Sequence, residues 1–78
     1  MDIKELMEKL ENEFEDVEKG TIQPETNFKA LGEWNSMLAL IIIALIDIEY
    51  DVKITGDDLR AIETVNDLYQ TVTERMEK

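Results

Sequence analysis

The tripeptide Asn35-Ser36-Met37 stands at the head of an uncharged run that extends from Ser36 to Ile46. A serine directly before an apolar helix usually serves as its N-cap, with the hydroxyl oxygen accepting a backbone N–H. Here Asn35 can take that role, and no Glu or Gln follows Ser36 three residues later to close a capping box. The residue types therefore predict a free hydroxyl at the first position of the helix.

A hydroxyl at that position is suited to carrying a phosphate ester. Helix N-termini offer unpaired backbone N–H groups and the positive end of the helix dipole, and both favour an esterified phosphate on Ser36. The sequence contains no histidine and no cysteine, which removes the commonest general base, the thiol nucleophile and the usual zinc ligands. We therefore predict no catalytic residue and no metal site.

The segment that starts at Asp51 partly matches a calcium-binding loop, and it is the one metal motif that the sequence suggests. Gly56 is the sixth residue of a loop that begins with that aspartate, as in an EF-hand, but Lys53 occupies a ligand position and Ile62 stands where a bidentate glutamate is needed. The sequence therefore predicts no calcium site.

The sequence predicts an all-α fold, and this fold would position Ser36. Apolar residues at helical spacing predict a single domain over residues 1–78, a small four-helix bundle of three longer helices and one short helix. Asn35 begins the second helix, and Thr55 and Thr64 are each followed three residues later by an aspartate, which marks two further helix starts. The predicted helices span about 3–17, 36–50, 56–62 and 65–76, with a long loop over 18–35 between the first two.

The second predicted helix is apolar on two sides, and a helix of this kind must be buried all round or expose a patch. We predict that one side faces the core, with Ala39, Ile42, Ile43, Ile46 and Tyr50. The other side, with Met37, Leu40, Ile41 and Ala44, then faces outward beside Ser36. For Leu38 and Leu40 two alternatives stay open: the loop covers them, or they belong to a docking surface.

The charge balance limits the classes of partner. Nineteen acidic and eight basic residues give a net charge of −11, which repels nucleic acid and anionic membranes and predicts basic protein partners. The apolar run is too short to cross a membrane, and the first ten residues contain no secretory signal pattern. We expect a cytoplasmic protein that does not insert into membranes and is a monomer.

The segments around Ser36 resemble those of acyl carrier proteins. The resemblance includes Asn35-Ser36-Met37, the preceding FKALGEW and the following IEYDVKITGDDLRAIETVNDLY, and it spans essentially the whole chain. It implies that Ser36 receives a 4′-phosphopantetheine arm from coenzyme A, added by a phosphopantetheinyl transferase, and that the protein carries acyl groups as thioesters without being an enzyme. Asn35 stands where the family usually has aspartate, and Met37 where it usually has leucine.

The resemblance gives a role to two sets of residues on and around the second helix, and it leaves a choice of pathways. Leu38, Ile41 and Ile48 stand where many carriers of fatty acid synthesis have acidic residues, so we predict a more apolar docking surface for acyl-loading and acyl-processing enzymes with basic or apolar surfaces. The predicted docking residues are Asn35, Met37, Leu40, Ile41, Ala44, Asp47, Asp57 and Asp58. A possible acyl pocket is formed by Ala39, Ile42, Ile43, Ile46, Ile62 and Leu68. The pathway is fatty acid, polyketide or a related specialised synthesis, and the alternative function is a small acidic helical interaction module without a prosthetic group.

Overall fold

The structure, a computed structural model, describes residues 2–14, 18, 20–31 and 34–76. Four α-helices follow one another in the described chain: α1 (Ile3–Glu13), α2 (Ser36–Tyr50), α3 (Gly56–Ala61) and α4 (Val65–Met76). A short 3₁₀ helix, Phe28–Ala30, lies in the connection between α1 and α2. The predicted all-α bundle of three longer helices and one short helix is confirmed. The 3₁₀ helix was not predicted.

Helix α1 is shorter than the predicted span of 3–17. It ends at Glu13, because Phe14 adopts an extended conformation and donates its N–H to the carbonyl oxygen of Glu11. The Glu11 carboxylate in turn accepts the backbone N–H groups of Gly20 at 2.7 Å and Ile22 at 3.3 Å, which holds the returning chain against α1. The prediction was thus wrong at Phe14, and residues 15–17 lie outside the described chain.

Helix α2 has the predicted bounds. Its N-cap is Asn35, whose side-chain oxygen accepts the N–H of Leu38 at 2.8 Å. The helix ends where Asp51 takes a left-handed conformation with φ of 55° and donates its N–H to Asp47. Aspartate tolerates this conformation better than most residues other than glycine. Interactions between neighbouring residues therefore define both ends of α2, and the Asn35 cap makes Ser36 its first residue.

Helices α3 and α4 begin at reciprocal caps, as predicted. The Thr55 hydroxyl accepts the N–H of Asp58 while the Asp58 carboxylate accepts the N–H of Thr55. Thr64 and Asp67 form the same pair before α4. Helix α3 ends at Ala61, one residue earlier than predicted, because Ile62 is extended and buries its side chain in the core.

The core combines buried residues of all four helices with others from the segments that connect them. Within α2 the buried residues are Leu38, Ile42 and Ile46, and they join fully buried leucines and valine of the neighbouring helices, Leu6, Leu10, Leu68 and Val72. Ile42 and Ile46 were predicted correctly. The prediction was too broad for three other residues, since Ala39, Ile43 and Tyr50 are only partly buried at the edge of this cluster.

An ion pair joins α3 to the end of α4. Nη1 and Nη2 of Arg75 donate to the two carboxylate oxygens of Asp58 at 2.7 and 2.6 Å, and Nη1 also donates to the Lys53 carbonyl. The hydrogen bonds from Arg75, followed by the backbone bond from Thr55, lower the pKa of Asp58 from its ordinary 3.8 to about 2. Asp58 thus stabilises the fold more strongly when it is ionised.

We expect this ion pair to give the fold an acid-sensitive component of stability. Because the pKa of Asp58 is lower in the folded state than in the unfolded state, the contribution is complete above 3.8 and is lost as the pH falls towards 2. Both side chains keep some contact with water, so we expect up to about 1 kcal/mol. Urea unfolding at a series of pH values between 3.8 and 2 measures this contribution. As the pH falls, the free energy of unfolding should decrease less in Asp58→Asn than in wild type. Parallel profiles of the two proteins would contradict the assignment.

Candidate functional site

Ser36 presents an exposed hydroxyl at the first position of α2. Asn35 provides the N-cap, as expected, so the capping bond does not occupy the serine. Ser36 is also the only serine in the sequence, a simple signal that the composition offers. The fold therefore leaves a single, accessible primary alcohol in front of an apolar helix.

A cleft of about 380 Å³ opens beside this hydroxyl. Three parts of the chain form its walls: the lead-in to α2, the first half of α2 itself, and α3. The lining residues are Lys29, Trp34, Ser36, Ala39, Leu40, Ile43, Gly56, Leu59 and Arg60. Trp34 is held in place by an edge-on contact with Phe28, with ring centroids 5.3 Å apart at 74°. The cleft thus combines an attachment point with an aromatic and aliphatic wall.

The charges around the cleft differ from those of the protein as a whole. Among the described residues, its lining contains Lys29 and Arg60 and no carboxylate, although acidic residues outnumber basic ones in the sequence. A larger groove of about 540 Å³ between α3 and α4 does not include Ser36, and its lining is mostly polar, with the carboxylates of Asp57, Asp58, Asp67 and Glu74. The apolar cleft at Ser36 is the better match to a group attached there.

An exposed apolar stripe runs along α2 from the Ser36 end. Met37 is 71% exposed, Leu40 66% and Ile41 39%, and Ala44 is exposed as well. Ile48, which was not among the predicted docking residues, continues the same side and is 80% exposed. Of the two residues whose position was left open, Leu38 is buried and Leu40 is not. We call Met37, Leu40, Ile41, Ala44 and Ile48 the α2 stripe.

The predicted acidic docking residues lie in different surroundings. Asp47, at the edge of the α2 stripe, is 3.8 Å from the ammonium group of Lys53. Asp57 is almost fully exposed and pairs with Arg60 at 3.0 Å. Asp58 is engaged in the bonds to Thr55 and Arg75 that hold α3. Asp47 and Asp57 are therefore accessible to a partner, whereas Asp58 already has two internal partners.

The predicted acyl-pocket residues separate into two groups. Ala39 and Ile43 line the cleft beside Ser36. Ile42, Ile46 and Leu68 are fully buried in the core, and Ile62 is nearly so and borders the groove between α3 and α4. The first pair is in place next to the hydroxyl, whereas the other residues could contact a ligand only if the core opened. Their role in an acyl pocket stays a prediction.

The chain was compared with protein families and with solved structures. The family described as the phosphopantetheine attachment site matches residues 2–72. The chain belongs to this family. None of the curated proteins matches the sequence significantly. A solved structure with a similar fold is the holo acyl carrier protein from Geobacter metallireducens, determined in solution by NMR. It has 20% identity and a TM-score of 0.78, with coverage of 96% of this chain and 85% of that one.

The prosthetic group of the phosphopantetheine-attachment family is a covalently bound 4′-phosphopantetheine, and the residues at the cleft fit such a group. The exposed Ser36 hydroxyl can form the phosphate ester, and the first backbone N–H groups of α2 lie at the positive end of its helix dipole. Trp34, Ala39, Leu40 and Ile43 give the neighbouring cleft apolar walls. When bound, the group supplies a thiol at the end of a flexible tether. The sequence itself has no thiol, because it contains no cysteine.

Two further features of the described chain bear on its chemistry. Among residues 2–14, 18, 20–31 and 34–76, no group of three or more His, Cys, Asp or Glu side chains could hold a metal ion. In the same ranges no helix has the length and apolar character needed to cross a membrane.

Five cleft residues were missed by sequence reasoning: Lys29, Trp34, Gly56, Leu59 and Arg60. One local signal could have found Lys29. Asn27 is a favourable N-cap, its side chain accepts the N–H of Lys29, and it begins the 3₁₀ helix that carries Lys29 to the cleft. Leu59 and Arg60 reach the cleft through the packing of α3, for which the sequence gives no signal at short range.

Proposed function

We propose that this protein is an acyl carrier: Ser36 bears 4′-phosphopantetheine, and the protein presents acyl groups to enzymes of fatty acid, polyketide or related specialised synthesis. The observation that carries the proposal is the Ser36 hydroxyl, exposed at the first position of α2 and released from capping by Asn35. Membership of the phosphopantetheine-attachment family supports the same residue.

Modification of Ser36 depends on a partner enzyme in this proposal. A phosphopantetheinyl transferase removes the hydroxyl proton as Ser36 Oγ forms its bond to the phosphorus that carries pantetheine. The P–O bond within the diphosphate of coenzyme A breaks, and the nucleotide part leaves with the bridging oxygen. The chain itself has no histidine that could accept the proton. The role of this chain is therefore to present the oxygen, with the α2 N-terminus stabilising the phosphate charge.

We further propose that partner enzymes dock on the α2 stripe. Exposed apolar patches commonly mark interaction sites, and this one begins directly after Ser36. Asp47 on α2 and the exposed Asp57 on α3 would favour partners that surround an apolar contact with basic residues. We expect a cytoplasmic monomer.

Exposure to coenzyme A and a promiscuous phosphopantetheinyl transferase tests the proposal, with intact mass as the readout. A gain of one phosphopantetheine group per chain is the expected result. Persistent failure with several transferases, while the chain is folded, would instead support the small acidic interaction module. The module would use the same α2 stripe without any prosthetic group.

A further inference from the structure

Lys29 makes an unusual set of contacts beside the Ser36 cleft. Its ammonium group donates to three backbone carbonyls at the end of α3: Leu59 at 2.6 Å, Ile62 at 2.7 Å and Arg60 at 3.2 Å. The last carbonyls of a helix have no partner within it, and a cation at this end also interacts favourably with the helix dipole. One side chain thus satisfies the C-terminal end of α3.

Helix α3 depends on such external contacts. It has only six residues, which is too short for a helix to be stable by itself. Arg75 holds it through Asp58 on the side that borders the larger groove, and Lys29 holds it on the side of the Ser36 cleft. Lys29 lines the cleft together with Leu59 and Arg60, two of the residues whose carbonyls it binds. Its bonds therefore set the distance between α3 and the lead-in to α2.

We infer that Lys29 is a positioning residue, which fixes α3 as a wall of the Ser36 cleft and thereby limits the size of the acyl group that can lie there. The inference rests on the proposed carrier function. Without the ammonium group the three carbonyls must turn to water, which draws the end of α3 outward and widens the cleft. Lys29 is thus a determinant of cargo size rather than a group that contacts the reacting atoms.

The test compares wild type with Lys29→Met, which keeps an apolar stem and removes the charged donor. Both proteins are loaded with a series of straight acyl chains, and the rate at which neutral hydroxylamine releases each chain is measured. Every CH₂ group that becomes buried should slow release about fourfold, because burial of one such group is worth about 0.8 kcal/mol. In wild type this decline should stop at the length that fills the cleft; in Lys29→Met it should continue to longer chains.

The fluorescence of Trp34 gives a second readout that involves no release. It is the only tryptophan in the sequence and lines the cleft, so its emission should shift for each chain that enters. In Lys29→Met, longer acyl chains than in wild type should shift the emission, and the new limit should match the one seen in the release rates. An identical range in the two folded proteins would overturn the inference.

Two control variants separate cleft size from charge and from general loosening of α3. Lys53→Met removes the same charge from a side chain that is 85% exposed and does not line the cleft. Arg75→Met releases α3 on the opposite side. Both control variants should keep the chain-length limit of wild type. If either control extends that limit as far as Lys29→Met does, the inference is overturned. Intact mass is recorded first, because absence of any arm on wild-type Ser36 contradicts the proposed function, whereas normal loading with unchanged chain-length limits contradicts only the role of Lys29.

Discussion

Replacing Ser36 with alanine should abolish the mass gain in the transferase reaction and leave the fold as stable as wild type. The sequence contains no other serine, and the Ser36 side chain is exposed and does not serve as the N-cap of α2. We therefore expect the free energy of unfolding to change by less than about 0.5 kcal/mol. Intact mass after incubation with coenzyme A measures the first effect, and urea unfolding measures the second.

The neighbouring variant Asn35→Ala is the matched control, and it should behave in the opposite way. It keeps the hydroxyl of Ser36 and removes the side-chain oxygen that accepts the N–H of Leu38. Loss of an N-cap of this kind costs about 1 kcal/mol of stability. This variant should still gain the arm while unfolding at lower urea. A mass gain that persists in Ser36→Ala would place the modification elsewhere and end the carrier assignment to this serine.

This pair of variants also shows why the local structure at Ser36 could be predicted from the sequence. A helix cap is formed between residues two or three positions apart, so Asn35, Thr55 and Thr64 could each be identified from their immediate neighbours. The bounds of α2 and α4 followed from these caps and from apolar spacing. The burial of Leu38 had a signal as well, since it precedes the core residue Ile42 by four positions and so shares its side of the helix.

Contacts between distant residues determined what the sequence could not predict. The apolar spacing of the first helix continues beyond Glu13, but Glu11 binds the backbone of Gly20 and Ile22, and the helix ends earlier. Lys29 and the end of α3 are about thirty positions apart in sequence, and Arg75 reaches back to Asp58. No short pattern encodes such pairs, so the cleft wall formed by α3 became apparent only in the folded chain.

The composition of the α2 stripe is the feature that would distinguish the proposed docking from a purely electrostatic encounter. The described chain has carboxylates on many faces, and most would attract any basic protein without defining its orientation. The stripe instead offers apolar side chains whose burial in an interface is favourable, with Met37 and Leu40 close to Ser36. In the proposed docking, an apolar groove of the enzyme would bind α2 and thereby orient the Ser36 hydroxyl.

Placing a carboxylate in the stripe by Met37→Glu should therefore slow modification by the transferase substantially. A buried contact at the centre of an interface is commonly worth about 2 kcal/mol or more, which corresponds to a decrease of roughly 30-fold in kcat/KM. Met37 is 71% exposed and makes no core contact, so the fold should be unaffected. Steady-state kinetics of the transferase, with circular dichroism to verify the helices, give the measurement. Ile41→Glu should show the same direction of effect.

Met76→Glu provides the control for charge alone. Met76 is an exposed methionine at the end of α4, and its replacement makes the same change in net charge as Met37→Glu. If partners recognise the stripe, Met76→Glu should retain nearly the wild-type rate. If both variants slow the reaction equally, the enzyme senses the overall charge and not the apolar side of α2. An unchanged rate in Met37→Glu would exclude docking through the stripe while leaving the attachment of the arm to Ser36 intact, because the two conclusions depend on different atoms.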